Sequence, residues 1–194
     1  SDGRALAADQ AAVTGDVVAF LTPERAQGRD LNGDGDQNDR VLGLYVGGKF
    51  INVGQAAEEL VMGGRPGCEL VAFRTSEASQ GATPLNDDGD FADYVLQVYD
   101  VAHGALVNSH SAVTPCKLEA CDPRIPYRGG EDTITFLTFE HDQGQDLGGQ
   151  PGAVDLILQH FNVRQVAGVC PSSATSVQAA TKSRAAQAQT SAVV

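Results

Sequence analysis

The sequence predicts an all-β fold made of antiparallel sheets. Short apolar runs rich in β-branched and aromatic residues recur along its 194 residues, and turns that use many of the 22 glycines separate them. Signals for helices are sparse. A unit made of a strand, an acidic loop and a second strand returns three times, and such recurrence is typical of repeat architectures.

The repeat is marked by a phenylalanine in the first strand of each unit, at Phe20, Phe73 and Phe136. The steps are 53 residues, from 20 to 73, and 63 residues, from 73 to 136, and an inserted segment explains the longer step. A period of about 50 residues with several short strands is the length expected of a propeller blade. We therefore predict a propeller-like repeat domain over 1–169 that is partial or is completed by another chain. Its blades span 11–62, 69–113 and 131–169, with an inserted cysteine loop at 114–130 and a low-complexity tail at 170–194.

The individual strands follow from the apolar runs and their turn residues. In the first unit they are predicted at 11–13, 17–22, 41–46 and 50–53, with turns at 15–16 and 47–48. The stretch 56–62 is compatible with a helical turn or a strand, and the glycine-rich 63–67 predicts a loop. Later strands are predicted at 70–75, 94–101 and 106–109, and the third unit repeats the two strand segments within 134–140 and 156–159.

Strand faces alternate, so residues two apart along a strand share a face. Val71 and Phe73 therefore point the same way, and so do Ile134 and Phe136. We expect these faces, like that of Val18, to pack unit against unit.

The first acidic loop places side-chain oxygens at positions 1, 3, 5, 7 and 10 of a short turn, at Asp30, Asn32, Asp34, Asp36 and Asp39. Gly35 stands at position 6, where loops of the EF-hand type need a residue without Cβ. Because four carboxylates this close repel one another without a cation, the loop predicts a calcium site (Ca²⁺) rather than an ion-free acidic turn. Position 12 is Val41, so Asp39 is expected to replace the usual glutamate. Asp36 is expected to bind through its main-chain carbonyl, and the others through their side chains.

The second loop repeats the pattern with Asn86, Asp88, Asp90 and Asp93. Pro84 stands where the first loop has Asp30, which predicts weaker calcium binding. The third loop retains only Asp146 and Asp155 of the acidic positions. We expect it to hold its turn without an ion, because each lost carboxylate weakens calcium binding.

Composition excludes some classes of partner. Lys and Arg number 13 against 25 Asp and Glu, for a net charge of −12, whereas nucleic acids and anionic membranes attract basic surfaces. No apolar run is long enough to span a membrane, and no signal peptide is recognised. The chain begins at Ser1 and its only methionine is Met62, as expected of a processed or excised chain. Because free calcium is abundant outside cells, we expect a secreted, extracellular or periplasmic protein.

Four cysteines, an even number, favour two disulfides in such a compartment. Cys116 and Cys121 flank a short loop, so a bridge between them is geometrically easy and leaves Cys68 for Cys170. Binding of a metal by these thiols is the alternative, and the absence of a Cys-x-x-Cys pair disfavours it.

The strands and loops between about 17 and 162 resemble bacterial β-propellers of the WD40-like or TolB-like kind. The Asp-Leu-Asn-Gly-Asp-Gly segment at 30–35, followed by a strand, also resembles the calcium loops of FG-GAP repeats in integrin-type propellers. Asp39 comes one residue later than the last acid of that pattern. The resemblance implies a calcium-binding propeller, although three blades are too few to close a ring.

The sequence carries no recognised catalytic motif. Its four histidines form no zinc-type pattern, and neither a nucleophile elbow nor a phosphate-binding loop is present. Glu24, Glu77 and Glu140 recur with the repeat, which favours a structural role such as bonding the neighbouring loop. We expect a non-enzymatic calcium-binding module with a structural or protein-interaction role, with a protein partner or self-association. The alternative is a propeller hydrolase of the lactonase or phytase type with a calcium-dependent active site.

Overall fold

The computed structural model describes residues 6–114, 127–150, 152 and 155–163, which form three antiparallel sheets. The first sheet contains β1 (Gln10–Thr14), β2 (Val17–Pro23), β3 (Arg40–Val46) and β4 (Lys49–Ala56). The second contains β5 (Leu60–Arg65), β6 (Cys68–Ser76), β7 (Tyr94–Asp100) and β8 (Ala105–Ala112). The third contains β9 (Tyr127–Gly129), β10 (Thr133–Phe139) and β11 (Leu156–Asn162). Short helical turns follow the second strand of each unit: α1 (Glu24–Gln27), a 3₁₀ turn (Ala78–Gln80) and α2 (Glu140–Gln143).

Within each sheet, strands that are consecutive in the chain are neighbours. The predicted all-β class with antiparallel sheets is confirmed. The sheets do not close into a ring within the described part of the chain. No helix in that part is long and apolar enough to cross a membrane.

The core lies between successive sheets. Leu42 and Leu44 of the first sheet pack with Val71 and Phe73 of the second. The opposite face of the second sheet, including Leu96, packs in turn with Ile134 and Phe136 of the third sheet. The expectation that these faces pack unit against unit is therefore confirmed for the second and third units.

A glutamine from each following unit completes the fourth strand of the unit before it. An irregularity in β4 places Gly54 at a φ of 72°, and the side chain of Gln80 fills the gap in the ladder. Its Oε1 accepts the N–H of Ala56 at 2.8 Å, and its Nε2 donates to the carbonyl of Gly54 at 3.4 Å. Gln143 makes the equivalent bonds at the end of β8: its Oε1 accepts the N–H of Ala112 at 2.7 Å, and its Nε2 donates to the carbonyl of His110 at 3.1 Å.

The strand β5 corrects the predicted loop at 63–67. Residues 60–65 pair with β6, so the predicted end of the first unit, after Met62, lies inside a strand of the second sheet. The glycines that indicated a loop instead allow two backbones to approach. A Cβ on Gly63 would lie 3.0 Å from the carbonyl oxygen of Gly130, and one on Gly129 would lie 2.8 Å from that of Met62. Glycine inside a strand commonly serves such a contact.

The predicted disulfides fall largely outside the described residues. Cys68 is disulfide-bonded. Cys116, Cys121 and Cys170 lie outside the described part, as do most of the predicted insert and the tail, so both pairings stay predictions.

Candidate metal centres

Two clusters of acidic side chains occupy equivalent places in the first and second loops. The first comprises Glu24, Asp34, Asp36 and Asp39, and the second comprises Glu77, Asp88, Asp90 and Asp93. Within each cluster, one oxygen of every residue lies within 4.8 Å of the others. Oxygens on opposite sides of a calcium ion are separated by about 4.6–5.2 Å, twice the usual Ca–O distance, so each cluster fits one ion.

The loops are shaped by side chains that bond to their own backbone. In the first loop, Asp34 Oδ1 accepts the N–H of Asp36 at 3.0 Å. In the second, Asp88 Oδ1 accepts that of Asp90 at 3.1 Å. Each loop then turns at a glycine, Gly35 or its equivalent Gly89, both with φ of 101°. The predicted requirement for a residue without Cβ at position 6 is thereby confirmed.

A buried glutamate behind each loop accepts backbone N–H groups from it. Glu24 Oε1 accepts from Leu31 and Asn32, at 2.5 and 3.4 Å, and its Oε2 accepts from Asp39 at 3.3 Å. Glu77 Oε1 accepts the equivalent pair, from Leu85 at 2.5 Å and from the next residue at 3.4 Å. The recurring glutamates therefore organise the loops, as their recurrence predicted.

Each loop also contacts the helical turn of the next unit. Asn32 Nδ2 donates to the carbonyl of Ser79 at 2.7 Å, and Asn86 Nδ2 donates to that of Asp142 at 3.1 Å. A Cβ on Gly144 would lie only 2.9 Å from the Cβ of Asp88. The clusters thus lie at the joints between successive sheets.

Burial and the crowding of carboxylates both raise pKa values in the clusters. The pKa of Asp39 is raised from 3.8 to about 6, chiefly by burial and also by Asp34 and Asp36. Burial likewise raises the pKa of Asp93 to about 7, with contributions from Asp88 and Asp90. A divalent cation bound among these groups would reverse the effect, because its charge favours the ionised carboxylates.

Several buried oxygens in the clusters have no hydrogen-bond donor among the described residues: Asp39 Oδ2, Glu77 Oε2 and Asn86 Oδ1. Asn86 is 2% exposed and Glu77 is 0% exposed. The Asn86 amide lies against the second cluster, since its Nδ2 is 3.3 Å from Asp93 Oδ2. Buried acceptors without donors carry a substantial free-energy penalty, and a bound cation would remove it.

The predicted ligand set is only partly assembled in the first loop. Asp34 and Asp39 lie in the cluster, and Asp36 contributes a carboxylate oxygen where its main-chain carbonyl was expected. Both oxygens of Asp30 instead accept backbone N–H groups, from Gly33 at 2.6 Å and from the residue at 35 at 3.0 Å. Asn32 points its amide nitrogen towards the next unit.

Glu24 and Glu77 were not among the predicted ligands, because their recurrence favoured a structural role. Asn52 and Asn108 were not predicted to have a role either, and each donates to the carbonyl of the leucine in the loop of its own unit, at 2.8 Å. Their recurrence, each four residues before an alanine, was the available signal.

The third loop keeps the framework, but its described residues form no acidic cluster like those of the first two loops. Glu140 accepts N–H groups from Leu147 and Gly148 on one oxygen and from Asp155 on the other, and these donors lower its pKa. Asp146 Oδ1 accepts two N–H groups of its own turn. Gly148 and Gln150 stand at the positions of Asn32 and Asp34.

A groove of about 380 Å³ adjoins the second cluster. Asp90 and Asp93 form part of its wall, together with Arg74 and His141. The Arg74 guanidinium lies 4.4 Å from the centre of the Tyr94 ring and bonds to Glu59 through two nitrogens. These contacts fix the positively charged Arg74 side chain beside the cluster.

Comparisons of the chain with protein-family models, with curated proteins and with solved structures found no match.

Proposed function

We propose that this chain is a non-enzymatic calcium-binding β-repeat module that works outside the cytoplasm, in a structural or protein-interaction role. The observation that carries the proposal is the pair of equivalent oxygen clusters. Each lies at the joint between two sheets, and each has at least one buried oxygen without a donor among the described residues.

Calcium is the ion that the clusters fit best. Their ligand groups are oxygens, without the thiols and imidazoles that zinc and copper prefer. Each cluster combines three acidic residues of a curved loop with the glutamate behind it, and Asn86, whose buried Oδ1 has no donor among the described residues, lies beside the second cluster. Calcium accepts six to eight oxygens in flexible geometry, whereas magnesium needs a strict octahedron and retains its waters.

Position favours a structural role for the ions. Each cluster lies against the helical turn of the following unit, so an ion there stabilises two neighbouring sheets together. A catalytic ion is needed once, whereas these clusters repeat with the fold. The same repetition supports the finer proposal that the three sheets are propeller-type blades.

Thermal unfolding in calcium and in chelator tests the proposal. Calcium should raise the melting temperature, and Asp34→Ala should remove much of the increase because Asp34 belongs to the first cluster. Asp146→Ala is the matched control, because its carboxylate only bonds its own turn. Melting temperatures that are identical in chelator and in millimolar calcium would refute the proposal.

The groove beside the second cluster supports a second candidate, a calcium-dependent hydrolase. It combines acids that could bind an ion with Arg74 and with His141, whose side chain is 81% exposed. Under this alternative, calcium-dependent cleavage of a lactone or a phosphomonoester should be measurable and His141→Ala should abolish it. The preferred proposal expects no such turnover.

A further inference from the structure

Two faces of the described stack carry exposed apolar side chains at positions whose equivalents elsewhere in the chain are buried. The leading face is formed by Val18, Phe20, Tyr45 and Phe50 of the first sheet, which lie on one side of paired strands. Phe20 stacks on Phe50 and is 7% exposed, and Phe50 is exposed to a similar extent as its equivalent Leu106, so Tyr45, at 49% exposed, is the informative position. Tyr99, the equivalent of Tyr45 in the second unit, is 7% exposed because the first sheet covers it.

The trailing face lies at the other end, on the third sheet. It is formed by Leu137 and Leu158, which are direct partners across β10 and β11, with Leu156. Leu158 is the equivalent of Leu42 and Leu96, which are both 0% exposed because the following sheet covers them. Leu158 itself is 59% exposed.

A hydroxyl group gives independent evidence for a missing neighbour at the leading face. Thr75 donates to the carbonyl of Ala56 at 2.8 Å, and Thr138 donates to that of Ala112 at 2.6 Å, so each bonds the fourth strand of the preceding unit. Thr22 is their equivalent, and its buried Oγ1 has no partner among the described residues.

We propose that two copies of this chain associate head to tail, with the trailing face of one copy on the leading face of the other. At both joints within the chain, a face equivalent to the trailing face already packs on a face equivalent to the leading face. The two exposed faces are therefore complementary in the same way. A head-to-tail contact of this kind forms a closed ring when the rotation between the copies permits it. Two copies contribute six sheets, which is within the roughly four to eight blades of closed propellers. The inference names the partner for the proposed interaction role and requires no ion.

The test measures the mass of the whole chain in solution by light scattering coupled to size exclusion, in calcium and in chelator. The wild-type chain should show twice its 20.2 kDa. Tyr45→Glu on the leading face and Leu158→Glu on the trailing face should each weaken association at least about tenfold, as charges at the centre of an apolar contact do. An equimolar mixture of the two variants should recover dimers, because one intact joint remains.

Leu106→Glu is the matched control, since Leu106 is 40% exposed on the outer strand of the second sheet and should leave the dimer unchanged. Tyr45→Ser and Leu158→Ser repeat the test without added charge if circular dichroism shows misfolding of the glutamate variants. A monomeric wild-type chain, sensitivity to only one of the two changes, or a mixture that stays monomeric would each overturn the inference. Dimers that form equally in calcium and in chelator would support it, and the melting temperatures in the same two buffers would separately test the proposed calcium sites.

Discussion

Replacing Glu77 with glutamine separates the two roles of this side chain. Its Oε1 accepts N–H groups from the loop, and glutamine retains that oxygen. Its Oε2 is buried without a donor, and glutamine places an NH₂ group there, among the carboxylates of the second cluster. We expect the calcium-free protein to be as stable as the wild type or more stable, because an amide donor relieves the repulsion between the carboxylates.

The same change should abolish calcium binding at the second loop. An ion at a hundredfold excess over its Kd stabilises the folded state by about 2.7 kcal/mol. For a chain of this length, that corresponds to about 5–11 °C in melting temperature. The variant should lose this increment for the second site and retain the increment of the first.

The assay is thermal unfolding with calcium and with chelator, together with calorimetric titration of calcium. Calorimetry should give two ions for the wild type and one for Glu77→Gln. Glu140→Gln is the matched control at the equivalent position of the third loop. Its Oε2 accepts the N–H of Asp155 at 3.1 Å, which an NH₂ group cannot do, so this variant should lose the same stability in calcium and in chelator. If Glu77→Gln instead behaves like Glu140→Gln and still binds two ions, Oε2 does not face an ion.

Three further predictions concern pH, the joint between sheets, and the disulfides. The pKa values of Asp39 and Asp93 are raised to about 6 and 7, so the calcium-free folded state binds protons that the unfolded chain has released. The melting temperature of the calcium-free protein should therefore rise as the pH falls from about 8 to about 5. A melting temperature in chelator that does not change with pH would contradict this prediction. Saturating calcium should remove the rise, since the ion keeps the carboxylates ionised. Thr75→Val should lower the free energy of unfolding in urea by about 1 kcal/mol, because the Thr75 hydroxyl donates to the carbonyl of Ala56 in the preceding unit. Thiol titration of the unfolded, unreduced protein should find no free thiol at Cys68 or at the other cysteines, whereas four reactive thiols would exclude both bridges.

The recurring loops could be predicted because their function and their conformation need the same residues. Acidic side chains at alternate positions and a glycine at position 6 follow directly from local geometry, so Gly35 and Gly89 reveal the turn without tertiary information. The buried Glu24 could be found by its recurrence, and its bonds to the loop were expected. The place of Glu24 in an oxygen cluster could not be predicted, because it depends on how the chain leaving β2 directs the Glu24 side chain back over the loop.

The strand β5 shows where sequence reasoning fails. Glycines at 63 and 64 are usually a signal for a loop. The third sheet packs closely behind Gly63, whereas Gly64 has a φ of 85° and lies against the backbone of β6, and these contacts explain both glycines in a strand. The expected ligand role of Asp30 was also not matched, although its hydrogen-bond partners lie in the same turn. Position 1 of such a loop is commonly a ligand, yet here both carboxylate oxygens are used by the turn itself.

The glutamine that completes the fourth strand of the preceding unit has a consequence for biosynthesis. The N–H of Ala56 finds its acceptor in Gln80, twenty-four residues further along the chain. As the chain leaves the ribosome, its first sheet therefore stays unfinished until the start of the second unit has emerged. Nascent chains that end between these points should be open to proteases at the end of β4, and that sensitivity should disappear once Gln80 is free to dock.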